Sequence, residues 1–324
     1  MRAPSPSSKP RGRLLRFGSA FAVMLALSGY ISLQYITGRT GGPGCEVVSG
    51  KGDGASYRLT PEQARNAATI AAVGTGRGMP ERAVTIALAT AIQESSLRNI
   101  DYGDRDSLGL FQQRPSQGWG TPEEIMDPTY SAGIFYDHLA KVPGYTRLPL
   151  TVAAQRVQRS GFPQAYAKHE PGATLLAAAL TGRSTATLTC RGIPSPTRSG
   201  GGPDAVRAAL VRDFGQDVMQ EVGAEVGPGA SPAPRRTAHT KGRTVTLPVP
   251  DGTAAAGRSA RQRGWQLAHW AVAHASALHI ERVSYAGHEW RAGTTDGRWR
   301  TVRTQGAAGA ERGAGVVRIT TIKR

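Results

Sequence analysis

Residues 82–97 read Arg82-Ala83-Val84-Thr85-Ile86-Ala87-Leu88-Ala89-Thr90-Ala91-Ile92-Gln93-Glu94-Ser95-Ser96-Leu97. Pro80-Glu81 opens this stretch as a helix, and a helix apolar nearly all the way round belongs in a core rather than on a surface. The carboxylate at its end is out of place, because burial and the negative pole of the helix dipole both oppose its charge. A carboxyl kept protonated near neutral pH is what is needed to protonate a glycosidic oxygen. The same Glu94 could instead be ion-paired with Arg98 or Arg105, and position alone leaves both readings open.

Working outward, Thr60-Pro61-Glu62-Gln63 supplies an N-cap, a first-turn proline and a third-position glutamine for an alanine-rich helix over 60–73, which stops at the glycines of 74–78. Residues 98–120 are rich in Gly, Asp and Arg and read as loop or short strands. Further helices are expected at 122–141, 150–158 and 172–181. The stretches 194–203 and 227–240 are linker-like, with helical spacing between them at 204–222. After residue 243 the pattern reads strand, helix 258–278, then strands near 280–291 and 315–322. The expected fold is mainly α: a helical domain over 45–192, a linker with one helix over 193–242, and a small α/β domain over 243–324.

Arg11, Arg13 and Arg16 precede an apolar run over 17–37. About twenty helical residues span the roughly 30 Å of a bilayer core. The basic segment 1–16 favours a cytoplasmic N-terminus, so everything beyond would lie outside the membrane. A signal peptide cleaved near Ala26-Leu27-Ser28 is the competing reading and exports the same residues. Cys45 and Cys190, the two cysteines of the chain, bracket the helical region. In an oxidising compartment they would pair; otherwise they are two buried thiols.

The 324 residues carry 40 Lys+Arg against 23 Asp+Glu, a net charge of +17. Apolar content of 39% excludes wholesale disorder. The charge is uneven: 45–192 is nearly balanced, with 15 basic and 13 acidic residues, whereas 193–324 carries 19 and 10. Such an excess is drawn to polyanions. Four of the five tryptophans, Trp265, Trp270, Trp290 and Trp299, lie in this last segment. They suit either carbohydrate binding or a small core. His269, His274 and His279 recur every five residues, which scatters them around a helix instead of converging them on a metal.

Glu94-Ser95 followed by Ser107-Leu108-Gly109-Leu110-Phe111-Gln112, and then by Asp127-Pro128 and a helix, resembles the lysozyme-like superfamily, especially the lytic transglycosylases, over residues 60–190. The resemblance implies cleavage of the β-1,4 bond between N-acetylmuramic acid and N-acetylglucosamine in peptidoglycan. Glu94 would act as general acid and then base. Ser95 would orient it or the sugar, Gln112 would bind substrate, and Gly109 would let the backbone approach closely. Phe111, in the place of the family's methionine, reads as core, and Trp119 as cleft or core. The family often holds its Glu with a Tyr-Asn pair in a later helix. Here the matching neighbourhood is Gln155-Arg156-Val157-Gln158-Arg159-Ser160-Gly161, with neither residue.

Asp104 and Asp106 are the candidates for a second carboxylate. With one the enzyme would be a hydrolase, and without one a transglycosylase forming a 1,6-anhydro product. No cofactor and no metal site is expected. The partners implied are glycan strands, the membrane through one helix, and anionic wall polymer through the basic C-terminal segment. The exported topology counts against nucleic acid. A catalytically weak wall-binding or scaffold protein on the same fold is the other reading, motivated by the absent Tyr-Asn pair.

Overall fold

The computed structural model describes residues 42–158, 163–192, 202–219, 239–249, 253–254, 258–302 and 315–322. The expected cytoplasmic tail at 1–16, the membrane segment at 17–37 and much of the expected linker lie outside these residues. Among the described residues, no helix is long and apolar enough to cross a membrane.

The chain begins with β1 (Gly44–Val48) and β2 (Ser56–Leu59). The helices α1 (Pro61–Gly76) and α2 (Glu81–Ser95) follow. Thr60 caps α1 as its sequence demands: its hydroxyl accepts from the Gln63 N–H at 3.2 Å, and the Gln63 side chain accepts from the Thr60 N–H at 2.8 Å. From Ala83 to Ile92 every residue of α2 is buried. A short α3 (Pro122–Ile125), then α4 (Pro128–Ala140), α5 (Leu150–Gln158) and α6 (Glu170–Leu180) surround it. Asp127 caps α4 by accepting from the Thr129 N–H at 2.8 Å. β3 (Leu188–Arg191) then returns to pair with β1, giving an antiparallel sheet in the order β2-β1-β3.

Cys45 and Cys190 are a directly opposed cross-strand pair, and they form a disulfide. Closing a long loop in this way typically stabilises a fold by about 2–4 kcal/mol.

Helix α7 (Pro203–Phe214) precedes β4 (His239–Lys241), β5 (Thr244–Pro248) and the small ribbon of β6 (Thr253–Ala254) and β7 (Arg258–Ser259). Helices α8 (Ala260–Ala273) and α9 (Ala275–Leu278) lead to β8 (Ile280–Tyr285), β9 (His288–Arg291), β10 (Arg300–Thr301) and β11 (Val316–Thr321). These strands make an antiparallel sheet of order β10-β9-β8-β11-β5-β4. The described chain is therefore mixed α/β rather than mainly α. The helical expectation fits 61–180, but it left out the strands at 44–59 and 188–191, which are too short to show period-2 alternation.

The segment after residue 243 does not stand apart. Ten consecutive residues of α8, Gly264 to Ala273, are buried, because α8 lies against the large sheet as well as α1, α6 and β3. Three polar side chains on the helix or at its C-cap reach partners in other elements. The Gln266 amide donates to the Thr75 hydroxyl, His269 Nδ1 meets the Ala179 carbonyl at 2.8 Å, and His274 faces Asp213. Residues from Pro43 onward form one compact unit around a continuous core.

Burial pushes the His269 imidazole down to about 4 despite its bond to Ala179. The ring is neutral in the fold. Below pH 6.5 the unfolded chain takes up a proton that the folded chain refuses until about pH 4, so stability falls with pH across that window and is flat beneath it. The drop expected is about 3 kcal/mol. His269→Gln retains a donor for Ala179 and should flatten the profile between pH 6.5 and 4. Urea unfolding of both proteins as a function of pH checks this, and parallel profiles would rule it out.

Candidate active site

The end of α2 is held by α1. Ser96 and Leu97 adopt left-handed conformations, φ 55° and 61°, which cost a non-glycine residue roughly 1–2 kcal/mol each. They are locked in place because the Gln63 and Asn66 amides donate to the Ser96 and Leu97 carbonyls, both at 2.8 Å. The loop that follows is tied back at several points. The Ser95 hydroxyl donates to the Leu110 carbonyl at 2.8 Å, and the Gly109 N–H to the Ile100 carbonyl at 2.7 Å. Leu108 and Gln113 exchange backbone hydrogen bonds at 2.9 and 3.0 Å. The Asn99 amide donates to the Met126 carbonyl at 2.7 Å, which fixes the loop on the turn before α4.

Glu94 projects from this fixed helix end, partly buried. Its Oε1 accepts from the Tyr166 hydroxyl at 2.6 Å. Burial raises its pKa above the ordinary carboxylate value, against the opposing hydrogen bonds from Tyr166 and Gln158. Gln158 also donates to the Phe111 carbonyl at 2.7 Å, so it joins the carboxylate to the loop. Arg98 turns instead to the Ser95 carbonyl, and among the described residues Glu94 is in no ion pair. The site thus has a carboxyl that favours its proton, a phenol directed at it, and a rigid loop beside it.

Tyr166 and Gln158 are the residues that sequence reasoning missed. Tyr166 lies in the 3-10 turn Pro163–His169, just beyond the segment where a tyrosine was sought. The same turn brings His169 Nε2 to 3.0 Å from Gln93 Oε1. The useful signal was a tyrosine flanked by small residues, Ala165 and Ala167, shortly after the helix that carries Gln158.

The other sequence candidates serve mainly the loop itself. Ser95 is buried and engages backbone carbonyls. Gly109 has φ +76°, and a Cβ there would meet the Ile125 carbonyl oxygen at 2.7 Å. Its close approach is therefore to the turn at Ile125. Gln112 is half-buried, and its amide lies 3.3 Å from the Tyr102 and Gly109 carbonyls. Trp119 is buried and stacked on His138 at 4.2 Å, so that ring face is taken. Phe111 is fully buried against Phe135, 4.6 Å between centroids.

Asp106 is committed on both oxygens, to Arg114 Nε at 2.7 Å and the Ser116 N–H at 2.8 Å. Hydrogen bonds from Ser116 and Arg114 hold it well below the usual carboxylate range. It stays ionised and braces the loop. Asp104 is exposed, and its backbone carbonyl accepts from the Ser107 N–H at 3.1 Å.

The C-terminal tryptophans face inward. Trp265, Trp270 and Trp290 are fully buried. Trp290 donates to the Cys190 carbonyl at 3.2 Å and Trp299 to the Leu188 carbonyl at 2.9 Å, so both clamp β3. The first three fill a core, and Trp299 is partly buried with its ring edge-on to Trp265 at 5.2 Å. Among the described residues no group of three or more His, Cys, Asp or Glu could hold a metal ion.

A family model described as VldE, C-terminal domain, matches residues 205–312. That third of the chain runs from α7 to beyond β10 and contains none of the residues around Glu94. No curated protein matches the chain.

Proposed function

We propose that this protein is a membrane-anchored, extracytoplasmic peptidoglycan lytic enzyme, with a lysozyme-like arrangement over residues 60–190 that cleaves the β-1,4 bond between N-acetylmuramic acid and N-acetylglucosamine. The observation that carries this reading is Glu94, a partly buried carboxyl with a raised pKa at the end of a buried helix, bonded at 2.6 Å by Tyr166. The sequence resemblance supplies the substrate class. The protonated Glu94 gives its proton to the glycosidic oxygen as the C1–O bond breaks. The carboxylate left behind then takes a proton from the group that attacks C1. With Asp106 bound on both oxygens and Asp104 exposed, the one-carboxylate route is favoured, in which the sugar's own 6-hydroxyl attacks and a 1,6-anhydro end results.

Tyr166 lessens the motive for the scaffold reading, since a phenol already holds the carboxyl without a Tyr-Asn pair. Its hydrogen bond favours the charged form of Glu94. Tyr166→Phe should therefore raise the pKa of Glu94 further and move the alkaline limb of the pH–rate profile to higher pH, with a lower maximal rate. An unmoved limb would sever Tyr166 from the chemistry. The primary test of the reading is zymography of the full chain on purified peptidoglycan, with mass analysis of the products. A clearing band with anhydro ends supports it, and a folded protein that clears nothing would sink it.

A further inference from the structure

The large sheet has one face turned to the core and one turned away from it. Val245, Leu247, Val283, Tyr285, Trp290, Val317 and Ile319 alternate inward and are buried. The residues between them form two rows across the strands. In the first row Arg300 pairs with Glu289, Glu289 with Ser284, Ser284 with Arg318, and Arg318 with Thr246. The second row runs Arg291, Arg282, Thr320, Thr244, Lys241. Paired residues in a ladder share a face, so these ten side chains form one surface.

That surface carries five cations and one acid. Glu289 is enclosed between Arg282 and Arg291, and Arg300 pairs with Asp296 at 3.3 Å. Arg318, exposed on an inner strand, has a hydroxyl opposite it on both sides, and Lys241 lies exposed on an edge strand. Neither forms an ion pair with a described residue. A sheet stabilised only by its own side chains would set acids opposite these positions, and it would not set Arg282 directly opposite Arg291. Arg, Lys and Ser/Thr hydroxyls together are the donor set that binds phosphate oxygens. Tyr285 and Trp290, the tyrosine and tryptophan of these strands, are buried on the inward face, where a nucleobase could not stack on them.

We propose that this face binds an anionic wall polymer that carries a phosphodiester in each repeat, with Arg318 and Lys241 as its principal contacts. The choice of a wall polymer rests on the envelope location in the proposed function; the phosphate chemistry rests on the sheet alone. The full chain is sedimented with purified cell walls, with walls stripped of phosphodiester polymer by acid, and is titrated separately against duplex DNA. Wild type should bind intact walls and be released as salt rises. Stripping the polymer, or the double variant Arg318→Gln with Lys241→Gln, should each weaken binding at least about tenfold, since charge-assisted phosphate contacts are lost. The variant should unfold at the wild-type temperature, because both positions are exposed. Glu94→Gln should bind as wild type does, so binding without clearing would leave this proposal standing while the enzymatic reading fails. Equal binding to stripped walls, a double variant indistinguishable from wild type, or tighter binding to duplex DNA than to intact walls would each overturn it.

Discussion

Glu94→Gln should abolish clearing of peptidoglycan, with a rate loss of about 10²–10⁴-fold, the usual worth of general acid–base assistance. The amide keeps the shape of the carboxyl and an oxygen for the Tyr166 hydroxyl, but it has no proton of suitable acidity to give. The stability of the variant is as informative as its rate. Burial disfavours the charged form of Glu94, so a neutral substitute should unfold at the wild-type temperature or above it. A carboxylate retained for a structural ion pair would do the opposite. Wild-type clearing by folded Glu94→Gln protein would refute the assignment. Asp104→Asn and Asp106→Asn should cost less than Glu94→Gln, and Asp106→Asn should act by loosening the Arg114–Ser116 side of the loop. A loss at either equal to that at Glu94, with hydrolysed rather than anhydro ends, would point to a two-carboxylate hydrolase.

Asp213→Ala should destabilise the fold by about 3–5 kcal/mol, because it removes a buried carboxylate on which several hydrogen bonds converge. This carboxylate, wholly buried, joins four helices. Oδ2 accepts from Thr69 of α1 at 3.0 Å and from Trp270 Nε1 of α8 at 2.9 Å. Oδ1 accepts from Thr129 of α4 at 3.3 Å and from Arg212, beside it in α7, at 3.1 Å. His274 Nε2 lies 3.4 Å away, with Nδ1 directed at the Trp270 carbonyl. Burial alone would raise the Asp213 pKa, but His274, Arg212 and Trp270 overcome it and hold the group below its ordinary value. Its stabilisation is thus present at neutral pH and is lost only as pH falls below the usual carboxylate range. Denaturant unfolding measures the loss. Because removal of the charge strands His274, the double variant with His274→Ala should recover part of the cost. A change under about 1 kcal/mol, typical of an exposed pair, would show the network to be dispensable.

What the sequence made legible followed from how local each signal was. The capping box at Thr60 and Gln63, the buried helix and the anomalous carboxyl at its end all sit within a few residues of one another, and local rules read them directly. Tyr166 was not legible, because its meeting with Glu94 is a contact across 72 residues of sequence that leaves no periodic mark. Trp265 and Trp270 could be read from the sequence as a binding surface or as core, and they are core. Five-residue spacing scatters side chains around a helix, which argues against a shared face only if the helix has an exposed side. Helix α8 has none along most of its length, and its Gln and His residues imitate a polar face because their partners belong to α1, α6 and α7. Trp119 reads equally as cleft or core in sequence, because the His138 ring that stacks on it comes from a separate helix.

The Cys45–Cys190 bond has a mechanical consequence. The two residues are 145 apart in sequence, yet they sit where the chain enters β1 and where it leaves β3. Tension that reaches the fold along the strand at Gly44 and leaves it at Arg191 crosses a single covalent bond. The whole stretch between them, including α2, Glu94 and Tyr166, lies outside the line of force. On the proposed anchoring in an envelope that stretches and relaxes, such a shunt would keep the geometry around Glu94 independent of load on the chain.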